Sequence, residues 1–202
     1  MKRFLFLLIL VFIAVMIWLT VYEKEDDSPL PQKLERALRL TNMKTYHDDD
    51  YDYIIRYPEF FEQTEDSLLD RGSCRFSFWI DNMEIVQTAF VEPNLDSLSI
   101  EHGMQKYAEE LSATEQVKGD DYFILSGTLH NDTCQIAGRR FYAKFVKHRK
   151  LWFVQTLAYP EDCEIAVRRL LKEIDDWQMW EHSDSITLPQ IPTWNRKTRH
   201  RQ

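Results

Sequence analysis

The chain has 202 residues, 44% of them hydrophobic, and a formal net charge of −8. That is enough for one domain with a sizeable core, and the acidic balance argues against nucleic acid as a partner of the folded part. Its five glycines, at 72, 103, 119, 127 and 138, form neither a GxGxxG fingerprint nor a P-loop, so the backbone cradles of nucleotide enzymes are missing.

Residues 4–22, FLFLLILVFIAVMIWLTVY, carry no charge. At roughly 1.5 Å rise per residue, a helix of that length covers the ~30 Å hydrocarbon layer of a bilayer. Lys2 and Arg3 precede the run, whereas Glu23, Lys24, Glu25, Asp26 and Asp27 follow it. The positive-inside rule then puts the amino terminus in the cytoplasm and the rest outside it, periplasmic if the source is bacterial, with Trp18 and Tyr22 at the far interface. Ala14 is the only small apolar residue of the run, so no Ala-x-Ala cleavage pattern forms, and no cysteine ends the run to take a lipid. Residues 1–22 therefore read as an uncleaved signal anchor, with cleavage at an atypical site as the alternative.

Residues 23–50 read as a spacer. Glu23 to Pro31 is polar; Gln32 to Lys44 is a short amphipathic helix with Leu34, Ala37, Leu38 and Thr41 on one face, lying either against the membrane or on the domain. His47, Asp48, Asp49, Asp50 and Asp52 follow as an acidic cluster. Hard cations take carboxylate oxygens, but the alternating ligands, glycine and distal glutamate of an EF-hand are absent, so the cluster reads as a solvated connector.

From residue 51 to 178 the pattern is that of a folded domain. YDYIIRYP (51–58) is a strand stopped by Pro58, and residues 75–80 and 83–91 form a hairpin around Asp81-Asn82. Asp96 or Ser97 caps a helix that places Ile100, Met104, Tyr107 and Leu111 on one face. Residues 122–128, 139–147 and 150–158 read as an antiparallel meander, the last two strands joined around His148 and Arg149. Pro160 opens a helix running through Trp177, with Ala166, Val167, Leu170, Leu171 and Ile174 on its apolar face. The expected class is α+β: an antiparallel sheet of about five strands covered by two helices, preceded by one transmembrane helix. Residues 179–202, with Pro189, Pro192 and the basic end NRKTRHRQ, read as an extended, solvated tail.

The chemistry-bearing residues are sparse. Of the three cysteines, Cys163 falls in register with Val167, Leu170 and Ile174 as a buried thiol, while Cys74 and Cys134 are candidates for a disulfide in an oxidising exterior. No CxxC or HxxxH spacing points to zinc, and no GxSxG elbow points to a nucleophile. Ser126-Gly127 ends a strand, and His130-Asn131-Asp132 reads as a turn rather than as the base of a Cys134 nucleophile. No catalytic, cofactor-binding or metal-ligating residue is therefore assigned. Trp79 and Trp152 read as core or half-buried strand residues. Arg139 and Arg140 point to opposite faces, and Lys144, Lys147, His148, Arg149 and Lys150 gather at the meander turn. Lys144, Lys147, Arg149 and Lys150 are thus candidates for binding a partner, the alternative being that they keep exposed strands from pairing.

Tyr57-Pro58, Gly138-Arg139 with Phe141 and Tyr142, LWFVQTLAYPED at 151–162 and AVRRLLKEIDDW at 166–177 together resemble the PsbP-like α/β/α fold over residues 51–178. That family includes an extrinsic photosystem II subunit, a nuclear Ran-binding protein and small exported bacterial proteins, so the resemblance implies an interaction module. The metal-associated residues of the photosynthetic members have no counterpart here, and Phe60 and Phe61 stand where a tryptophan often follows the Tyr-Pro. The expected role is a membrane-anchored, non-cytoplasmic, non-catalytic binding or accessory protein of the cell envelope, with another envelope protein as partner. One alternative is a small-ligand or lipid carrier, which needs an apolar cavity between sheet and helices; the other is a hydrolase, for which the sequence offers no nucleophile and base.

Overall fold

The computed structural model describes residues 12, 15, 16, 28–80, 82–130 and 135–179, residues 135–137 by backbone alone. In chain order the elements are α1 (Leu30–Leu40), β1 (Met43–Asp48), β2 (Tyr53–Pro58), β3 (Glu62–Gln63), β4 (Ser73–Ile80), β5 (Met83–Pro93), α2 (Ile100–Glu110), β6 (Glu115–Lys118), β7 (Tyr122–His130), β8 (Gln135–His148), β9 (Leu151–Pro160) and α3 (Arg168–Asp175). The expected membrane anchor at 4–22 and the tail beyond Met179 lie outside the described residues, apart from residues 12, 15 and 16. Among the described residues no helix is long and apolar enough to cross a membrane.

Alternation along β9 organises the core. Trp152 and Val154 point to one face of the sheet, and Phe153, Leu157 and Tyr159 to the other, all five buried. A strand apolar on both faces belongs in the middle of a sheet covered on both sides. β9 accordingly lies at the centre of a seven-stranded antiparallel sheet of order β3-β4-β5-β9-β8-β7-β6. On one face α1, α3 and a separate β1–β2 hairpin bury Leu34, Leu38, Ile55, Phe76, Leu157, Leu170 and Ile174 together. On the other face α2 packs Tyr107 and Ala108 against Phe123, Phe145 and Trp152. The fold is mixed α+β, with three α-helices and two antiparallel sheets among the described residues.

The main sheet therefore has seven strands rather than about five. β3 and β6 were not expected because every one of their residues is exposed, so no apolar alternation marks them. β1 is a further correction, since part of the expected acidic connector is a strand paired in register with β2, Tyr46 opposite Ile55. The acidic residues after it build the hairpin turn. The Asp48 carboxylate accepts the Asp50 and Tyr51 N–H groups at 3.1 and 2.8 Å, and Asp52 takes a left-handed φ of 55°.

Helix boundaries also move. α1 buries Leu34 and Leu38 against the domain, which settles which of the two expected positions it takes. Arg169 donates to the Leu38 and Thr41 carbonyls at the end of α1, meeting groups that the helix leaves unpaired. α2 is capped by Ser99, whose Oγ accepts the His102 N–H at 3.2 Å, rather than by Asp96 or Ser97. Asn94 fixes the preceding loop: it accepts from Leu98 N–H at 2.8 Å and donates to Leu98 O at 3.0 Å. Pro160 ends β9 opposite Arg139 instead of opening a helix; a 3-10 turn at Glu161–Cys163 intervenes, and α3 begins only at Arg168.

Candidate functional site: the open half of the α2 face

α2 has 11 residues and so is about 16 Å long, whereas β8 has 14 residues and spans about 46 Å. One short helix cannot cover a face built on such strands. The pairing registers give that face in rows: Glu92, Trp152 and Lys147; then Phe90, Val154, Phe145 and Phe123; then Thr88, Thr156, Ala143 and Leu125; then Val86, Ala158, Phe141 and Gly127. α2 sits over the first two rows on the β7 side, with the Tyr107 ring stacked 4.7 Å from Phe145 and edge-on to Trp152 at 6.1 Å. Gly103 permits this low seat, because a Cβ there would stand 2.6 and 2.8 Å from Trp152 ring carbons.

The remaining rows form an open floor. Beside the end of α2 runs a groove of about 770 Å³, with Phe90, Phe141, Ala143, Val154, Thr156 and Ala158 below, Tyr107 and Leu111 at its side, and Leu129 and His130 at its far end. Glu92, Glu110 and Ser112 are its polar wall. It continues past Thr156, Ala158 and Leu129 into a cleft of about 510 Å³ lined by Arg75, Trp79, Glu84 and Arg139. Thr88 and Thr156 share a hydroxyl hydrogen bond of 2.6 Å in the floor. In the cleft Arg75 pairs with the Glu84 carboxylate at 3.0 Å, and Arg139 donates to the Glu84 backbone carbonyl at 2.6 Å. Burial, and after it the neighbouring Glu92 carboxylate, hold the Tyr107 phenol well above its ordinary range.

The expected basic rim is not assembled. Lys144 is 4% exposed and lies on the opposite face, where its ammonium donates to the Asp175 and Trp177 carbonyls, the latter at 2.9 Å, and sits 4.7 Å from the Tyr122 ring centroid. The reason is strand parity: an even position of β8 points toward α3. Desolvation pulls this ammonium below the usual lysine range. Lys147 is half-buried, donating to Leu98 O and lying 5.9 Å from the Trp152 ring centroid. Arg149 and Lys150 alone of the four project from the turn, Arg149 with a left-handed φ of 54°.

Cys74 is a buried free thiol that accepts a hydrogen bond from Tyr53 at 3.6 Å; its expected partner Cys134 lies outside the described residues. Cys163 is likewise a buried free thiol, as its register predicts. Burial pushes both thiols up to about 12. Trp152 is 1% exposed, but Trp79 is 63% exposed, because it lies at the end of β4, beyond the cover of α2. Ser126 is buried and donates to Glu115 at 2.7 Å. Among the described residues no three His, Cys, Asp or Glu side chains are grouped to hold a metal ion.

Sequence reasoning missed this groove because it arises from the mismatch between helix and strand lengths, not from a motif. The available signal was Trp79, a large aromatic at the tip of a hairpin. The sequence matches no family model and no curated protein. Among solved structures the chain is similar to cyanobacterial PsbP from Synechocystis sp. PCC 6803, with a TM-score of 0.48, 13% identity and coverage of 67% of this chain and 91% of that one. It is also similar to a Pseudomonas aeruginosa protein of unknown function, with a TM-score of 0.46, 9% identity and coverage of 68% and 96%. These are neighbours of the kind that the PsbP-like resemblance anticipates, and at this similarity they concern the fold alone.

Proposed function

We propose that this chain is a non-catalytic binding or accessory protein whose working surface is the apolar groove beside α2, held at a membrane by residues 4–22 with its domain outside the cytoplasm. The observation that carries the reading is the half-covered sheet face, an apolar floor under about 770 Å³ of open space. Ligand sites are concave, mostly apolar and fringed by a few polar groups, which describes this groove. It also supplies the cavity between sheet and helix that a small-ligand carrier needs, so this observation favours a carrier over an accessory protein that docks by a flat charged rim. The uncharged run at 4–22 supports the anchor.

A photo-crosslinking residue at Leu129, inside the groove, tests the reading in cells, with one at Lys172 on the exposed face of α3 as control. The expected result is an adduct at Leu129 that disappears when Ala158→Trp fills the floor. Adducts from Lys172 with none from Leu129 would move the working surface elsewhere. Intact mass of the membrane-extracted chain tests the anchor: full-length protein is expected, and loss of roughly the first 20 residues, the length of a signal peptide, would overturn it.

A further inference from the structure

We propose that the groove receives a small apolar molecule carrying a cationic group, an organic amine, with its charge against Glu92 and its body on Phe90, Tyr107 and Phe141. This rests on the reading of the groove as the working surface and names the chemistry of its occupant.

The argument is one of charge and geometry. Among the described residues the carboxylates lining the groove are Glu92 and Glu110, and no lysine or arginine lines it; Glu110 is exposed and already pairs with Lys106 at 3.8 Å, so the charge of the occupant falls to Glu92. His130 stands at the far end, where its Nδ1 donates to Thr128 O at 2.7 Å. Arg75 and Arg139 belong to the adjoining cleft and are committed to Glu84. Glu92 is half-buried in the groove wall, on the same side as Tyr107. A carboxylate partly withdrawn from water beside an apolar floor favours a charged donor over a neutral one. The aromatic rings add to this, since their faces attract cations and not anions. The same features oppose a carboxylate or sulfate head, so a fatty acid is the wrong class of occupant. A groove of about 770 Å³ suits a molecule of drug size rather than a long acyl chain.

The test uses the full chain in nanodiscs of zwitterionic lipid, isotope-labelled, with backbone amide shifts followed on adding 4-phenylbutylamine, 4-phenylbutanol or 4-phenylbutyrate; empty nanodiscs correct for partitioning. The amine is expected to shift the amides of Gly127, Ala143 and Ala158 saturably, with a dissociation constant on the order of a millimolar for a ligand this small. Glu92→Gln should weaken the amine by about tenfold while leaving the alcohol unchanged, the size of one charge-assisted contact. If the alcohol or the butyrate binds as well as the amine, the cationic class is wrong and the groove still takes ligands. If none of the three shifts these amides, while the unliganded spectrum is that of a folded chain, the groove reading falls as well.

Discussion

Gly103→Ala tests whether α2 sits as low on the sheet as the groove geometry requires. Alanine in place of a helical glycine contributes about 1 kcal/mol through backbone entropy. Against this, the new Cβ would lie 2.6 and 2.8 Å from Trp152 Cζ2 and Cη2, whereas carbon atoms pack best about 3.5–4.0 Å apart. Trp152 is 1% exposed and boxed in by Phe123 and Tyr107, so the ring cannot swing away and the helix must rise by about 1 Å. Overpacking of this kind costs about 3 kcal/mol at the upper end of its usual range, so a net loss of about 2 kcal/mol is expected. For a folded part of this size that lowers Tm by about 6 °C. Urea titrations of the single variant, of Trp152→Phe and of the pair give the coupling directly, because phenylalanine lacks the two offending carbons. The pair should recover most of the loss attributable to the new methyl, with a coupling energy of about 2 kcal/mol. A stabilised Gly103→Ala protein would mean that propensity decides at this site, and the close seat of α2 on Trp152 would be refuted.

Three further outcomes follow from the geometry. Ser99→Ala removes the acceptor for the His102 N–H at the start of α2 and should cost about 1 kcal/mol in a denaturant titration, with Ser99→Asp restoring it. His47 is held above its ordinary pKa by the side-chain hydrogen bond to Asp52 and then by that to Asp49, at 3.0 and 3.3 Å. Its contribution to stability is therefore complete below the unfolded value and lost as pH rises through the folded one; NMR titration should show a raised midpoint that falls toward the ordinary value in Asp52→Asn. Alkylation of native protein at pH 8 should modify neither Cys74 nor Cys163, buried thiols pushed up to about 12, and denaturation should open both; mass spectrometry of the peptides checks it.

What could be read from residues alone was whatever burial writes into period two or 3.6. β9 carries apolar side chains on both faces, and β4 alternates Cys74 and Phe76 inward against Arg75 and Ser77, so both strands announce themselves. β3 and β6 are held by their neighbours' backbones rather than by a face of their own, and all their side chains meet solvent. Lys144 shows a different limit. Composition makes a lysine near a turn look like surface, yet its parity with Tyr142 and Val146 puts it on the α3 face, where backbone carbonyls receive its charge. The groove lay further from view, because a cavity depends on where a helix stops, and α2 stops at Glu110 while Leu111, expected on its buried face, is 37% exposed.

The position of β9 has a consequence for how the chain comes into being. Strands β3 to β5 and β6 to β8 can each zip up locally, but their backbones are joined into one sheet only by β9, which is made after both and slots between β5 and β8. Until residue 160 has emerged, the nascent polypeptide holds two half-sheets, each exposing an apolar edge strand. Completion of the sheet is thus an insertion at its middle rather than growth at its rim, and a chain cut before Leu151 should yield two separate fragments of structure rather than a smaller version of the same domain.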